Sequence, residues 1–175
     1  MNEKIVINDQ HDTIEIGFAD IEKYHGQQFI AGAAIGFKAL QAAFAVLCPD
    51  RPPQREELTI VSGHPGLGVR DAFEFVTRTV VRGGYTVDTT LPKGRWNPYR
   101  SYANSFVITL ADGRQAEVVL KEGILPERFF FLGNLGVTGV ISAAEQQEVV
   151  ALKRALADQL VSRPASELFT VEVSN

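Results

Sequence analysis

Two histidines stand where glycine-rich turns lead into apolar segments. His25 opens His25-Gly26-Gln27-Gln28-Phe29-Ile30-Ala31-Gly32, and His64 lies in Gly63-His64-Pro65-Gly66-Leu67-Gly68. An imidazole titrates near neutrality, so it can ligate a metal, move a proton or donate a hydrogen bond. The amides left open at a helix start favour anions. Two such turns predict one shared pocket, with His25 and His64 as candidate metal ligands and Gln28 beside them. Asp71 follows the second turn and could orient a histidine or complete a metal shell. It could equally cap a helix, because aspartate is a favoured residue there. A third group, Lys93-Gly94-Arg95-Trp96-Asn97-Pro98-Tyr99-Arg100, combines cations with aromatic rings. Arg95, Trp96 and Arg100 are expected to rim the pocket and meet an anionic or planar ligand. The alternative is a surface loop anchored by a buried Trp96.

Other residues are read as inert. His11 lies in a polar turn. Cys48 is the sole cysteine, which excludes an intrachain disulfide and a thiolate-rich zinc cluster within the chain. At the end of an apolar helix it reads as a buried thiol. Neither glycine-rich turn is a phosphate loop. Gly-Lys-Ser/Thr is absent, and Gly66-x-Gly68 lacks the full dinucleotide fingerprint.

The elements that must carry these residues follow from periodicity. Residues 3–18 predict one or two short strands around a polar turn, and Asp20 is expected to cap a short helix. The main helix is expected over Gln28–Cys48, stopped by Pro49, Pro52 and Pro53. Glu57–Ser62 reads as a strand, Asp71–Val81 as a helix broken by Gly83-Gly84, and Tyr85–Val87 as a strand. Asp112-Gly113 between two alternating apolar runs predicts a hairpin with positive φ at both turn positions. Phe129-Phe130-Phe131 is a further apolar run, read as core or as a dimer face. Ser142 with Glu145 forms a capping-box pattern ahead of a helix over Ala143–Val161. A strand ends the chain. Helices and a largely antiparallel sheet are segregated rather than alternating, which predicts a single α+β domain over residues 1–175.

Composition narrows the function classes. The chain has 175 residues, 45% of them apolar, and a formal net charge of −4. Its densest basic stretch is Lys93, Arg95 and Arg100, too thin for a nucleic-acid face. Residues 29–48 are long and apolar enough to raise a membrane span. Lys38 and Gln41 near the middle argue instead for a buried helix of a globular protein. The start of the chain lacks a basic segment followed by an apolar run, so a cytoplasmic location is expected.

Three segments, in order, resemble the FmdE-like proteins, named after a component of formylmethanofuran dehydrogenase. His25-Gly26-Gln27 with Gly32-Ala33-Ala34-Ile35-Gly36-Phe37 is similar to that family's HGHxCPG motif and its alanine-rich helix. Ile60-Val61-Ser62 through Asp71-Ala72-Phe73-Glu74 is similar to the strand and helix that follow. The hairpin Phe106–Leu120 with Lys121-Glu122-Gly123-Ile124-Leu125-Pro126 is the third match. Pro164–Phe169 also resembles the end of the family's core domain.

The resemblance spans residues 18–173. It implies an α+β domain similar to the catalytic domain of glyceraldehyde-3-phosphate dehydrogenase, a homodimer, and a site for zinc or another divalent metal. The departures fall on that metal site. The family's second histidine falls on Gln27 or Gln28, its first cysteine near Ile30 and its second near Gly68. Ile and Gly offer no side-chain donor. His25 alone carries over by position, and no cysteine-rich ribbon follows the domain. Three functions stay open: a binding protein for a small anionic or aromatic ligand, an enzyme with a rebuilt His/Asp metal centre, and an accessory component of a redox complex.

Overall fold

The computed structural model describes residues 3–175. Strands β1 (Ile5–Asp9) and β2 (Asp12–Ile16) form a separate antiparallel hairpin. Helix α1 (Phe18–His25) follows, capped by Gly17 rather than Asp20. Asp20 sits one turn in and accepts the Gly17 amide at 2.9 Å, the reciprocal half of a cap. Helix α2 (Ile30–Leu47) is the central pillar, with buried residues on nearly every side. By length and composition it could cross a membrane, yet most of it is buried within the fold. It packs against α3, α5 and the main sheet.

A 3₁₀ turn (Arg55–Glu57) leads into β3 (Leu58–Ser62), and α3 (Leu67–Thr77) and β4 (Tyr85–Val87) come next. After the long loop 88–104 come β5 (Ser105–Leu110), β6 (Gln115–Leu120), α4 (Glu127–Thr138), α5 (Ala143–Ser162), the short α6 (Ala165–Leu168) and β7 (Phe169–Ser174). The main sheet has the order β4-β3-β5-β6-β7. Only the β3–β4 pair is parallel. Ile60, Phe106, Ile108, Val118 and Leu120 are all buried and place the core on one face of the sheet, beneath α2. The fold class is α+β, as expected from the pattern.

Three expectations are corrected. Helix α3 starts at Leu67 and ends at Thr77, with Arg78 in the left-handed region as its C-cap. Its start carries no side-chain cap signal, because Gly66 is the N-cap. In the β5–β6 turn only Gly113 has positive φ (95°). Asp112 instead accepts the Arg114 amide at 3.0 Å, so the loop is a four-residue turn rather than a two-residue primed one. The Phe129–Phe131 run belongs to α4, which buries Phe130 and leaves Phe131 exposed. The capping box at Ser142 is present in both directions, at 3.1 Å and 2.9 Å.

Helices α2 and α3 cross where side chains are missing. A Cβ on Gly68 would overlap the Phe29 carbonyl oxygen and lie 2.9 Å from the Ala33 amide nitrogen. A Cβ on Gly36 would lie 2.9 Å from the Ala72 Cβ. The crossing draws the N-terminal ends of both helices to one place. Gly68→Ala is therefore expected to cost about 3 kcal/mol or more, since the obstruction is backbone that cannot swing away. Gly133→Ala on α4, whose Cβ would meet nothing within 4 Å, should be neutral or stabilising by up to about 1 kcal/mol. Urea unfolding of the two variants checks the contrast.

Candidate functional site

The two histidines are placed in different surroundings. His25 ends α1, and its Nδ1 meets the Asp71 carboxylate at 2.7 Å. The His25 side chain is 4% exposed and that of Asp71 28%. The pair joins α1 to α3 across 46 residues of sequence. Asp71 is thus neither a helix cap nor a free ligand. Its position in the second turn of α3 aims the carboxylate at α1. The other ring nitrogen of His25, Nε2, is buried without a hydrogen-bond partner among the described residues.

His64 instead lines a cavity of about 540 Å³. Its Nδ1 accepts the Gly66 amide at 2.8 Å, folding the turn that starts α3. Ser62 Oγ ties down the same turn. It accepts the His64 amide at 3.1 Å and donates to the His64 carbonyl at 2.8 Å. Burial pushes the His64 pKa down to about 4. A neutral imidazole accepting at Nδ1 carries its proton on Nε2. His64 is therefore a neutral donor, not a cation.

The cavity lies between the starts of α2 and α3 on one side and α4 and α5 on the other. Gly32, Gly66 and Gly68 form its floor, and Phe29, Phe129, Leu132 and Val149 supply apolar wall. Its polar lining includes His64, Asn97, Arg100, Tyr102, Gln28 and Lys153, with no carboxylate among the lining residues. Lys153 Nζ donates to the Gln28 carbonyl at 2.9 Å and sits 5.3 Å from the centre of the Phe29 ring. Burial lowers the pKa of Lys153. The Arg100 Nη2 atom is buried with no hydrogen-bond partner among the described residues.

The helix starts agree with this polarity. α2 and α3 carry no acidic residue in the first turn and no side-chain cap. α1, α4 and α5 each have an acidic residue there. The open amides and positive dipole ends at the cavity are left without a protein anion. A wider, open hollow of about 810 Å³ lies between β1 and the end of α2. Its cations Lys4 and Arg51 are already paired, with Glu15 and Glu57.

Of the residues expected at the pocket, Gln28, His64 and Arg100 line it, and His25 and Asp71 are not among its walls. Arg95 is a clip within its own loop, donating to the Thr89 and Leu91 carbonyls and to Ser101 Oγ. Trp96 donates its Nε1–H to the Leu120 carbonyl at 2.6 Å and packs on the core. Neither reaches the cavity. The shared metal site of His25 and His64 does not fit these positions. His64, accepting at Nδ1, carries its proton on Nε2 and has no ring lone pair left for an ion, and among the described residues no three His, Cys, Asp or Glu side chains are grouped to hold one. Tyr102 and Lys153 were not legible as site residues. The one available signal was that Lys153 interrupts the buried α5 stripe of Val149, Leu156 and Leu160.

Comparison with known proteins adds nothing to the geometry: no protein-family model and no curated protein matches this chain.

Two outcomes follow. Asp71→Asn should lower stability by about 1–3 kcal/mol, the cost of weakening a half-buried hydrogen-bonded pair, while leaving the cavity's binding properties intact. Chemical denaturation with a binding assay on the same sample checks both. For His64, the unfolded ring titrates near 6.5 and the folded ring near 4. The unfolded chain thus takes up a proton that the folded chain refuses. Stability from this group is complete above pH 6.5 and is lost as pH falls toward 4, by about 3 kcal/mol. His64→Gln should flatten that part of the stability–pH profile relative to the parent.

Proposed function

We propose that this chain is an FmdE-like α+β domain that has given up the family's metal centre and binds a small organic anion with an apolar body. The observation that carries the proposal is the imbalance of the cavity. Arg100 and Lys153 line it, the first with an uncommitted buried nitrogen, and no carboxylate lines it to answer them. Arg100 is half-buried, and a partly desolvated guanidinium without a carboxylate partner gains from an anionic occupant. The uncapped starts of α2 and α3 favour the same charge. The remaining walls are mostly apolar, as in pockets that hold a ligand by its body and orient it with a few polar groups.

The order of His25-Gly26-Gln27, the alanine-rich α2 and the β5–β6 hairpin supports the family reading. A homodimer belongs to the same proposal, and the exposed Phe131, Val137 and Val140 are apolar surface that a second copy would cover. A cytoplasmic location is retained with it. A rebuilt metal centre is not favoured, because His25 and Asp71 are paired with each other away from the cavity.

Thermal melting against a panel of aromatic and aliphatic anions, each with its neutral counterpart, tests the reading. Ligand that binds only the native state raises apparent stability, by about 2.7 kcal/mol at a hundredfold excess over Kd. Anions with an apolar body should raise the melting temperature, and Arg100→Gln should abolish the rise. A panel without any rise, or a rise that survives Arg100→Gln, contradicts it.

A further inference from the structure

We propose that Arg100, Tyr102 and His64 form a subsite for a carboxylate group, so that the ligand is a monocarboxylate with a flat or linear apolar tail; this rests on the binding function proposed above. Tyr99 donates its amide to Asn97 Oδ1 at 2.9 Å, which fixes the orientation of the Asn97 amide. Asn97 Nδ2 then donates to the Tyr102 hydroxyl oxygen at 2.9 Å. With its oxygen engaged as an acceptor, Tyr102 has its own proton left to give. Burial keeps that proton on, by pushing the Tyr102 pKa up. The His64 and Tyr102 rings lie 4.3 Å apart, centre to centre. His64 accepts at Nδ1 and so presents Nε2–H as a second uncommitted donor. Arg100, close enough for its charge to act on Tyr102, brings a guanidinium with no carboxylate partner among the described residues. All three residues line the same cavity.

The subsite therefore offers one cation and two neutral donors, and its three residues supply no competing negative charge. That set matches a monoanion. A planar carboxylate can take two guanidinium N–H groups in parallel and still accept from neighbouring donors. The three subsite residues set one positive charge against the two negative charges of a phosphate dianion, and the other cation lining the cavity, Lys153, sits at Gln28 and Phe29. Tail binding falls to Phe29, Leu125, Phe129, Leu132 and Val149, which close the cavity beneath α4 and α5.

The test uses the full chain and three kinds of probe in isothermal titration: 4-phenylbutyrate and octanoate, their primary amides, and inorganic phosphate. The acids are expected to bind at least tenfold more tightly than the amides, with no saturable phosphate binding. Arg100→Gln should erase the acid–amide difference while leaving amide affinity within about twofold. Tyr102→Phe, which removes one donor and little volume, should narrow the difference by threefold or more. If Arg100→Gln does not fold, the parent's acid–amide ratio and Tyr102→Phe decide the matter. Equal affinity for acids and amides overturns the carboxylate subsite and leaves an apolar pocket standing. Phosphate binding in preference to the acids overturns it in favour of a tetrahedral anion. Absence of binding by every probe overturns the subsite and the binding function together.

Discussion

The close crossing of α2 and α3 is the constraint on which the rest of this structure depends. Two helices can approach this nearly only where backbone meets backbone. Gly68 lies against the Phe29 carbonyl, Gly32 beside the Val69 amide, and Gly36 against Ala72. That approach has three consequences. The N-terminal ends of both helices converge on one cavity floor. The His64 turn, which starts α3, is held at the cavity wall. Asp71, in the second turn of α3, comes within reach of His25 on α1. The crossing therefore places both the cavity and the His25–Asp71 clamp behind it.

The clamp and the cavity divide what looked like one constellation. His25 is buried, Asp71 is half-buried, and the two are paired, which is how a structural link between helices is made. His64 is held neutral, and its ring faces a cavity with a surplus of donors. A metal centre needs several deprotonated donors converging on one point. The arrangement here is the reverse: donors of hydrogen bonds converge, and carboxylates are kept away.

Much of the fold was legible because local signals were strong. Ser142 with Glu145, the prolines after Cys48, and the alternation on both sides of Asp112-Gly113 each act within a few residues. Helix α4 was not legible, because Gly133, Gly136 and Gly139 lie among its apolar residues and blur the helical stripe. The start of α3 was missed because Gly66 offers no capping side chain, which made Asp71 look like the cap. At the site, the shared position of the two glycine-rich turns could be inferred from sequence. The pairing of His25 with Asp71 could not, because it depends on how α1 meets α3. Tyr102 and Lys153 were hidden for the same reason. A tyrosine in a loop and a lysine on a helix are ordinary until tertiary packing turns them toward one cavity.

The central claim is that His64 is a neutral donor at an anion-receptive, metal-free cavity. The most direct measurement is the nitrogen chemical shifts of the His64 ring by long-range proton–nitrogen NMR, with and without 4-phenylbutyrate. The expected result is the neutral form with the proton on Nε2, persisting from neutral pH to well below pH 6, and a shift confined to Nε2 when the acid is added. An imidazolium at neutral pH, a proton on Nδ1, or a ring unmoved by saturating ligand would contradict the account.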